Sequence, residues 1–93
     1  MCGINGMLNI NFKPINNIKH SVYVMNELLK HRGPDSNGKW TNNYIGIGHT
    51  RLSIIDLSSS GRQPMIKDHF ILTFNGEIYN YIAIKNMLSK KYN

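Results

Sequence analysis

Met1-Cys2-Gly3-Ile4-Asn5-Gly6-Met7-Leu8-Asn9-Ile10 opens the chain with a cysteine in second position and an alternating run behind it. Ile4, Leu8 and Ile10 fall on one side, with Asn5, Met7 and Asn9 between them. Successive strand side chains point to opposite faces, so this spacing predicts a strand from Cys2 to Ile10. The cysteine carries a second message. An initiator methionine is normally trimmed ahead of so small a side chain, which leaves a thiol and a free α-amine on one residue. An α-amine (pKa about 7.7–8.0) and a thiol (about 8.5) can exchange a proton near neutral pH. One residue then holds both a nucleophile and its general base. A lone cysteine is otherwise an inert small hydrophobe, so its role depends on what the rest of the chain supplies.

Working outward, Pro14 and Asn16-Asn17 break the strand pattern and offer a helix cap. Ile18, Val22, Met25 and Leu29 then recur at helical spacing, which predicts a helix running to about Lys30. Gly33 suits its C-terminal cap, and Pro34 cannot continue it. Lys39-Trp40 and the run Tyr44 to His49 read as a hairpin across Asn42-Asn43. Within it Ile45 and Ile47 face one way, while Gly46 and Gly48 leave the other face bare for a close approach by another segment or a ligand. Leu52 to Leu57 and Phe70 to Phe74 are further strand candidates. Ser58 to Gly61 is a loop, and a second helix is expected from near Glu77, carrying Ile78, Tyr81, Ile82 and Leu88. The order of elements is that of an α+β fold. Such a sheet needs a second layer over its other face, and residues 1–93 are expected to supply only part of the architecture.

Ninety-three residues allow one small domain or part of a larger one. The 41% hydrophobic share is ordinary for a globular chain and argues against disorder. No apolar run approaches the roughly 20 residues of a membrane span, and the N-terminus lacks the basic flank of a signal peptide. One cysteine excludes an internal disulfide framework, so a reducing compartment, the cytoplasm, is expected. The net charge of +6 raises nucleic-acid binding, yet Lys13, Lys19, Lys30, Lys39, Arg51, Lys67 and Lys85 are scattered and only Lys90-Lys91 are adjacent. Phosphate binding needs such charges gathered on one face, so no nucleic-acid partner is expected. His20, His31, His49 and His69 lack metal-ligand spacing, and no metal is expected.

Four segments carry chemistry. Cys2-Gly3-Ile4, His31-Arg32-Gly33-Pro34-Asp35, His49-Thr50-Arg51-Leu52-Ser53-Ile54-Ile55-Asp56 and Phe74-Asn75-Gly76-Glu77-Ile78-Tyr79-Asn80 follow in this order. Alone each is weak: Asn75-Gly76 favours a type I′ turn, and one arginine is ordinarily a solvated surface charge. Together they resemble the glutaminase domain of the class II glutamine amidotransferases, most closely that of the asparagine synthetases. Leu52 stands where glucosamine-phosphate synthases and phosphoribosyl amidotransferases carry an aromatic residue. That difference and Gly61-Arg62-Gln63-Pro64-Met65 favour the asparagine synthetase group. The resemblance spans the chain and about the first half of the family's domain.

The resemblance implies the N-terminal part of the four-layer αββα sandwich of N-terminal-nucleophile hydrolases, with residues 1–93 a partial glutaminase domain and no synthetase domain. It makes Cys2 the nucleophile that attacks the glutamine carboxamide, forms a γ-glutamyl thioester and releases ammonia. The Asn75 side-chain amide and the Gly76 N–H would form the oxyanion hole, and Arg51 would grip the substrate α-carboxylate through two parallel hydrogen bonds. Leu52, Ser53, Ile54, Ile55 and Glu77 would line the pocket, and the loop His31 to Asp35 would lie beside the nucleophile. ATP and magnesium belong to the family's synthetase domain, so no cofactor is expected in this chain. Glutamine is the expected substrate, and a separately encoded remainder of the domain or a synthetase domain the expected partner. The competing reading is a non-catalytic remnant or interaction module of the same family.

Overall fold

The computed structural model describes residues 2–54 and 57–92. Its elements run β1 (Gly3–Leu8), α1 (Ile18–Leu28), β2 (Ser36–Thr41), β3 (Ile45–Arg51), a short 3-10 turn (Ser59–Gly61), β4 (Met65–Lys67), β5 (Phe70–Leu72) and α2 (Tyr81–Lys91). The fold is α+β, with two helices and two sheets among the described residues. The larger sheet has the order β1-β3-β2, all antiparallel. Gly3 stands opposite Thr50 and Leu8 opposite Ile45, while Ser36 stands opposite Arg51 and Thr41 opposite Gly46. The turn between β2 and β3 is held by Asn42, whose side-chain oxygen accepts from the N–H groups of Tyr44 and Ile45 at 2.9 and 2.7 Å.

Helix α1 lies on the sheet face that carries Gly3, Asn5, Gly46, Gly48 and Thr50. Ile18 and Val22 are its buried apolar contacts, and Val22 is 0% exposed. Both reach the sheet because β3 has no side chain beneath them. A Cβ at Gly46 would stand 2.6 Å from Val22 Cγ2, and one at Gly48 would collide with the side chains of Asn26 and Asn5. The bare face read from the sequence is thus filled by a helix. Asn26 sits on the same stripe and is also buried. Its side chain accepts from Asn5 Nδ2 at 2.7 Å and donates to the Gly38 carbonyl at 3.0 Å, so one amide ties α1 to β1 and β2. Such partnering offsets the cost of burying the Asn26 amide, although the Oδ1 of Asn5 is buried with no partner among the described residues.

Several local expectations change. Asn17 precedes α1 with a left-handed φ of 56° and caps it with no side-chain hydrogen bond. Gly33 does not end the helix through a left-handed conformation; α1 closes at Leu28, with the Leu29 N–H on the carbonyls of Met25 and Asn26. No strand forms among the described residues 52–54 and 57; Ile55 and Asp56 lie outside the described residues. The Phe70 strand is short and pairs with β4 across Asp68-His69, where Asp68 takes the positive φ (53°) that tight hairpin loops require. The second helix starts at Tyr81, later than Glu77.

The sheet's other face carries Ile4, Leu8, Trp40, Ile45 and Ile47, and Ile4 and Leu8 are 47% and 55% exposed. Helix α2 buries none of its residues and packs on no other helix or strand among the described residues. Since α1 is seated on bare strand, Gly48→Ala should lower unfolding stability by about 1–3 kcal/mol through overpacking, with a clear drop in the urea midpoint. An unchanged midpoint would show that α1 does not rest on Gly48.

Candidate active site

The register of β1 against β3 decides where the cysteine lies. With Gly3 opposite Thr50, Cys2 falls beside the end of β3, and the Leu52 N–H donates to its Sγ at 3.3 Å. The thiol lies 3.8 Å from the Leu52 carbonyl oxygen. One residue of the motif after β3 therefore holds the sulfur from both its backbone groups.

The loop His31 to Asp35 packs against the same strand end. Gly33 is buried there, so close to β3 that any Cβ would collide with the Thr50 carbonyl. The Asp35 N–H donates to the Arg51 carbonyl at 2.9 Å, and Asp35 Oδ2 accepts from the Ser53 N–H at 2.7 Å. Arg32 Nε donates to the Cys2 carbonyl at 3.3 Å. The loop thus fixes the backbone on both sides of the sulfur, so its glycine serves close approach where the sequence suggested a helix cap.

Arg51 ends β3 and is only 8% exposed, which removes it from the solvated surface charges. A buried guanidinium is costly unless its N–H groups are met. Arg51 Nη1 donates to the Ser58 carbonyl at 2.6 Å, and the guanidinium lies against Gly61. An open cleft of about 360 Å³ is lined by Cys2, Arg51, Leu52, Ser53, Ile54, Asn75, Gly76 and Glu77, together with Gly61, Gln63, Met65 and Phe74. Every site residue read from the sequence lines this one cleft except Ile55, which lies outside the described residues. Asn75-Gly76 is not a type I′ turn, since neither residue has a positive φ. Asn75 is half-buried in the cleft wall, and Gly76 and Glu77 are exposed.

Gln63 and His49 have parts in the site that residue chemistry alone did not assign. Gln63 Oε1 accepts from the Phe74 N–H at 2.6 Å, and His49 Nε2 stands 3.2 Å from the Phe74 carbonyl oxygen. The segment Gly61 to Met65 was visible only through the family resemblance, and His49 only as the first residue of its motif. His49 is 0% exposed, and its Nδ1 has no hydrogen-bond partner among the described residues. Burial holds its pKa below the ordinary 6.5; the Phe74 carbonyl opposes that shift and the nearby Arg51 charge adds to it. The ring is therefore neutral, with the proton on Nε2 toward Phe74.

Among the described residues no group of three or more His, Cys, Asp or Glu could hold a metal ion, and no helix is long and apolar enough to cross a membrane.

Cys2 just before β1, the buried Arg51 and the Asn75-Gly76 loop thus converge on one cleft. The chain belongs to the glutamine amidotransferase domain family, whose model matches residues 1–93. It is 38% identical over 93 residues to asparagine synthetase [glutamine-hydrolyzing] 1 of Bacillus subtilis, an alignment covering 98% of this chain and 15% of that protein. It is 39% identical over 105 aligned positions to the putative asparagine synthetase [glutamine-hydrolyzing] 2 of Methanocaldococcus jannaschii, covering 91% of this chain and 20% of that protein. A third relative, amidase chry2 of Gibberella zeae, is 44% identical over 72 residues, 71% of this chain and 10% of that protein. The chain thus spans a fifth or less of these relatives' length. No solved structure matches it.

A neutral buried His49 has a consequence for stability. Its folded pKa lies below the unfolded value, so its contribution is complete above about pH 6.5 and is lost as the pH falls through the depressed folded value. Thermal scans from about pH 8 to about pH 5 should show a midpoint that falls on the acid side, and His49→Gln should flatten that fall. An identical slope in the variant would contradict the neutral buried ring.

Proposed function

We propose that this protein hydrolyses glutamine to glutamate and ammonia through a thioester on Cys2, the ammonia serving ATP-dependent asparagine synthesis. The observation that carries the reading is the single cleft shared by Cys2, Arg51, Asn75, Gly76 and Glu77. The relatives, asparagine synthetases named as glutamine-hydrolysing, support glutamine as the substrate and asparagine synthesis as the use of the ammonia.

In this mechanism Met1, which lies outside the described residues, is removed and the Cys2 α-amine takes the thiol proton. The sulfur attacks the carboxamide carbon, and the carbonyl oxygen becomes an oxyanion that the Asn75 side-chain N–H and the Gly76 backbone N–H receive. Collapse breaks the C–N bond, the amine proton passes to the departing nitrogen, and ammonia leaves. Water then attacks the thioester, breaks the C–S bond and frees glutamate. Leu52 holds the sulfur at the start of this sequence, and Asp35 holds the Ser53 backbone at the cleft edge. Arg51 supplies a planar fork for the substrate α-carboxylate, a grip that a lysine does not reproduce.

The sheet face of Ile4, Leu8, Trp40, Ile45 and Ile47, exposed at Ile4 and Leu8 and half-buried at the other three, belongs, on this reading, against a second sheet. That makes residues 1–93 part of a four-layer sandwich completed by further polypeptide, in the same chain or encoded separately, with a synthetase domain as the consumer of ammonia. The free thiol suits a reducing compartment, the cytoplasm.

In an assembly that turns over glutamine, Cys2→Ala should reduce ammonia release to background while glutamine binding persists. Arg51→Lys should raise KM by about 10- to 100-fold, because hydrogen bonds to charged groups contribute about 1.5–3 kcal/mol. Ammonia release that survives Cys2→Ala sinks the mechanism, and an unchanged KM in the lysine variant removes Arg51 from the carboxylate site.

A further inference from the structure

We infer that His49 and Gln63 are positioning residues that clamp the Phe74 backbone and so set the oxyanion-binding Asn75 and Gly76 against Cys2. The inference rests on the glutaminase reading above and adds two residues to it. Phe74 immediately precedes Asn75, and both its backbone polar groups are taken by side chains from elsewhere in the fold. Gln63 Oε1 accepts the Phe74 N–H at 2.6 Å, and His49 Nε2 donates to the Phe74 carbonyl at 3.2 Å. β5 ends at Leu72, so no strand ladder fixes this stretch. The two side chains replace the ladder.

Each arm of the clamp is anchored on the three-stranded sheet. His49 belongs to β3, two residues before Arg51, and is fully buried on the face opposite α1. Directly across from it in β2 stands Gly38. The Gln63 carbonyl sits on Gly38, where any side chain would collide with it. One sheet thus carries the arginine, the imidazole and the seat of the glutamine. The neutral ring fits this duty, since with its proton on Nε2 it donates to Phe74 and leaves Nδ1 as a lone pair with no partner among the described residues. A protonated ring would bury an unmet N–H beside the Arg51 charge. Oxyanion donors act only where the developing charge appears, and a displacement of about 1 Å in such a site costs about 10²-fold in rate. A clamp of this kind therefore governs kcat more than substrate binding.

The test uses the intact protein in the assembly that hydrolyses glutamine. Gln63→Met keeps the length of the side chain and removes the acceptor; Gln63→Glu keeps an acceptor oxygen. The expected result for Gln63→Met is a fall in kcat of about 10- to 100-fold with KM changed by less than about threefold, and recovery of most of kcat in Gln63→Glu. His49→Gln, whose terminal N–H reaches nearly as far as Nε2, should retain more kcat than His49→Leu. Alkylation of Cys2 by iodoacetamide, which develops no oxyanion, should proceed at the wild-type rate in both Gln63 variants and reports that fold and thiol are intact. Wild-type kcat in Gln63→Met overturns the clamp, as does an equal loss in Gln63→Met and Gln63→Glu with alkylation unchanged. A second readout needs no turnover. Backbone amide exchange at Asn75 and Gly76 should quicken by about tenfold or more in Gln63→Met, and exchange at the wild-type rate overturns the clamp. Should wild type and Cys2→Ala release ammonia equally, the glutaminase reading fails, while the exchange measurement still decides whether Gln63 and His49 hold the loop.

Discussion

Contact between α1 and the bare face of β3 is the constraint on which the other features depend. Gly46 and Gly48 let Val22 and Asn26 reach the strand backbone, and with so few buried apolar side chains this contact holds the sheet and helix together. Because α1 covers the face of β3 that carries Gly46, Gly48 and Thr50, the strand's remaining side chains point the other way. His49 and Arg51 do so, at alternate positions of the same strand. The residue pattern Gly-Ile-Gly-His-Thr-Arg over 46–51 therefore encodes two surfaces at once, a seat for a helix and a floor for a cleft.

The antiparallel pairing of β1 with β3 converts that floor into a site. Pairing places Gly3 against Thr50, and the residue just before Gly3 then meets the backbone just after Arg51. Cys2 immediately precedes β1, so the pairing of Gly3 with Thr50 brings its sulfur to the Leu52 backbone. The buried loop glycine, Gly33, and the carboxylate of Asp35 brace the same corner. Position and chemistry are set by the same few backbone contacts. On the same face as His49 and Arg51, Ile4 and Leu8 of β1 remain exposed.

Much of this is legible in the residues, for physical reasons. The alternation behind Cys2 marks β1, the spacing of Ile18, Val22, Met25 and Leu29 marks α1, and the paired glycines of β3 mark a close approach. Other features have no local signature. The burial of Asn26 is one such feature, because its partners, Asn5 and Gly38, are distant in sequence. The β4–β5 hairpin turns at Asp68-His69, a pair without the Asn-Gly or Gly signal that usually announces such a loop. Arg51 alone says nothing of its burial, which comes from the loop at Ser58 and Gly61 folding over it. Gln63 and His49 gain their meaning only when Phe74 is brought between them. Motifs in fixed order locate the cleft; the contacts that shape it are tertiary.

Glutamine hydrolysis through a thioester stands or falls on the state of Cys2 during turnover. Mass spectrometry of the N-terminal peptide, after acid quench of the protein reacting with glutamine, reads that state directly. The expected peptide begins at Cys2, without Met1, and carries one glutamyl group that hydroxylamine removes. A peptide that retains Met1 throughout, or ammonia release with no glutamyl group ever found on Cys2, would contradict it.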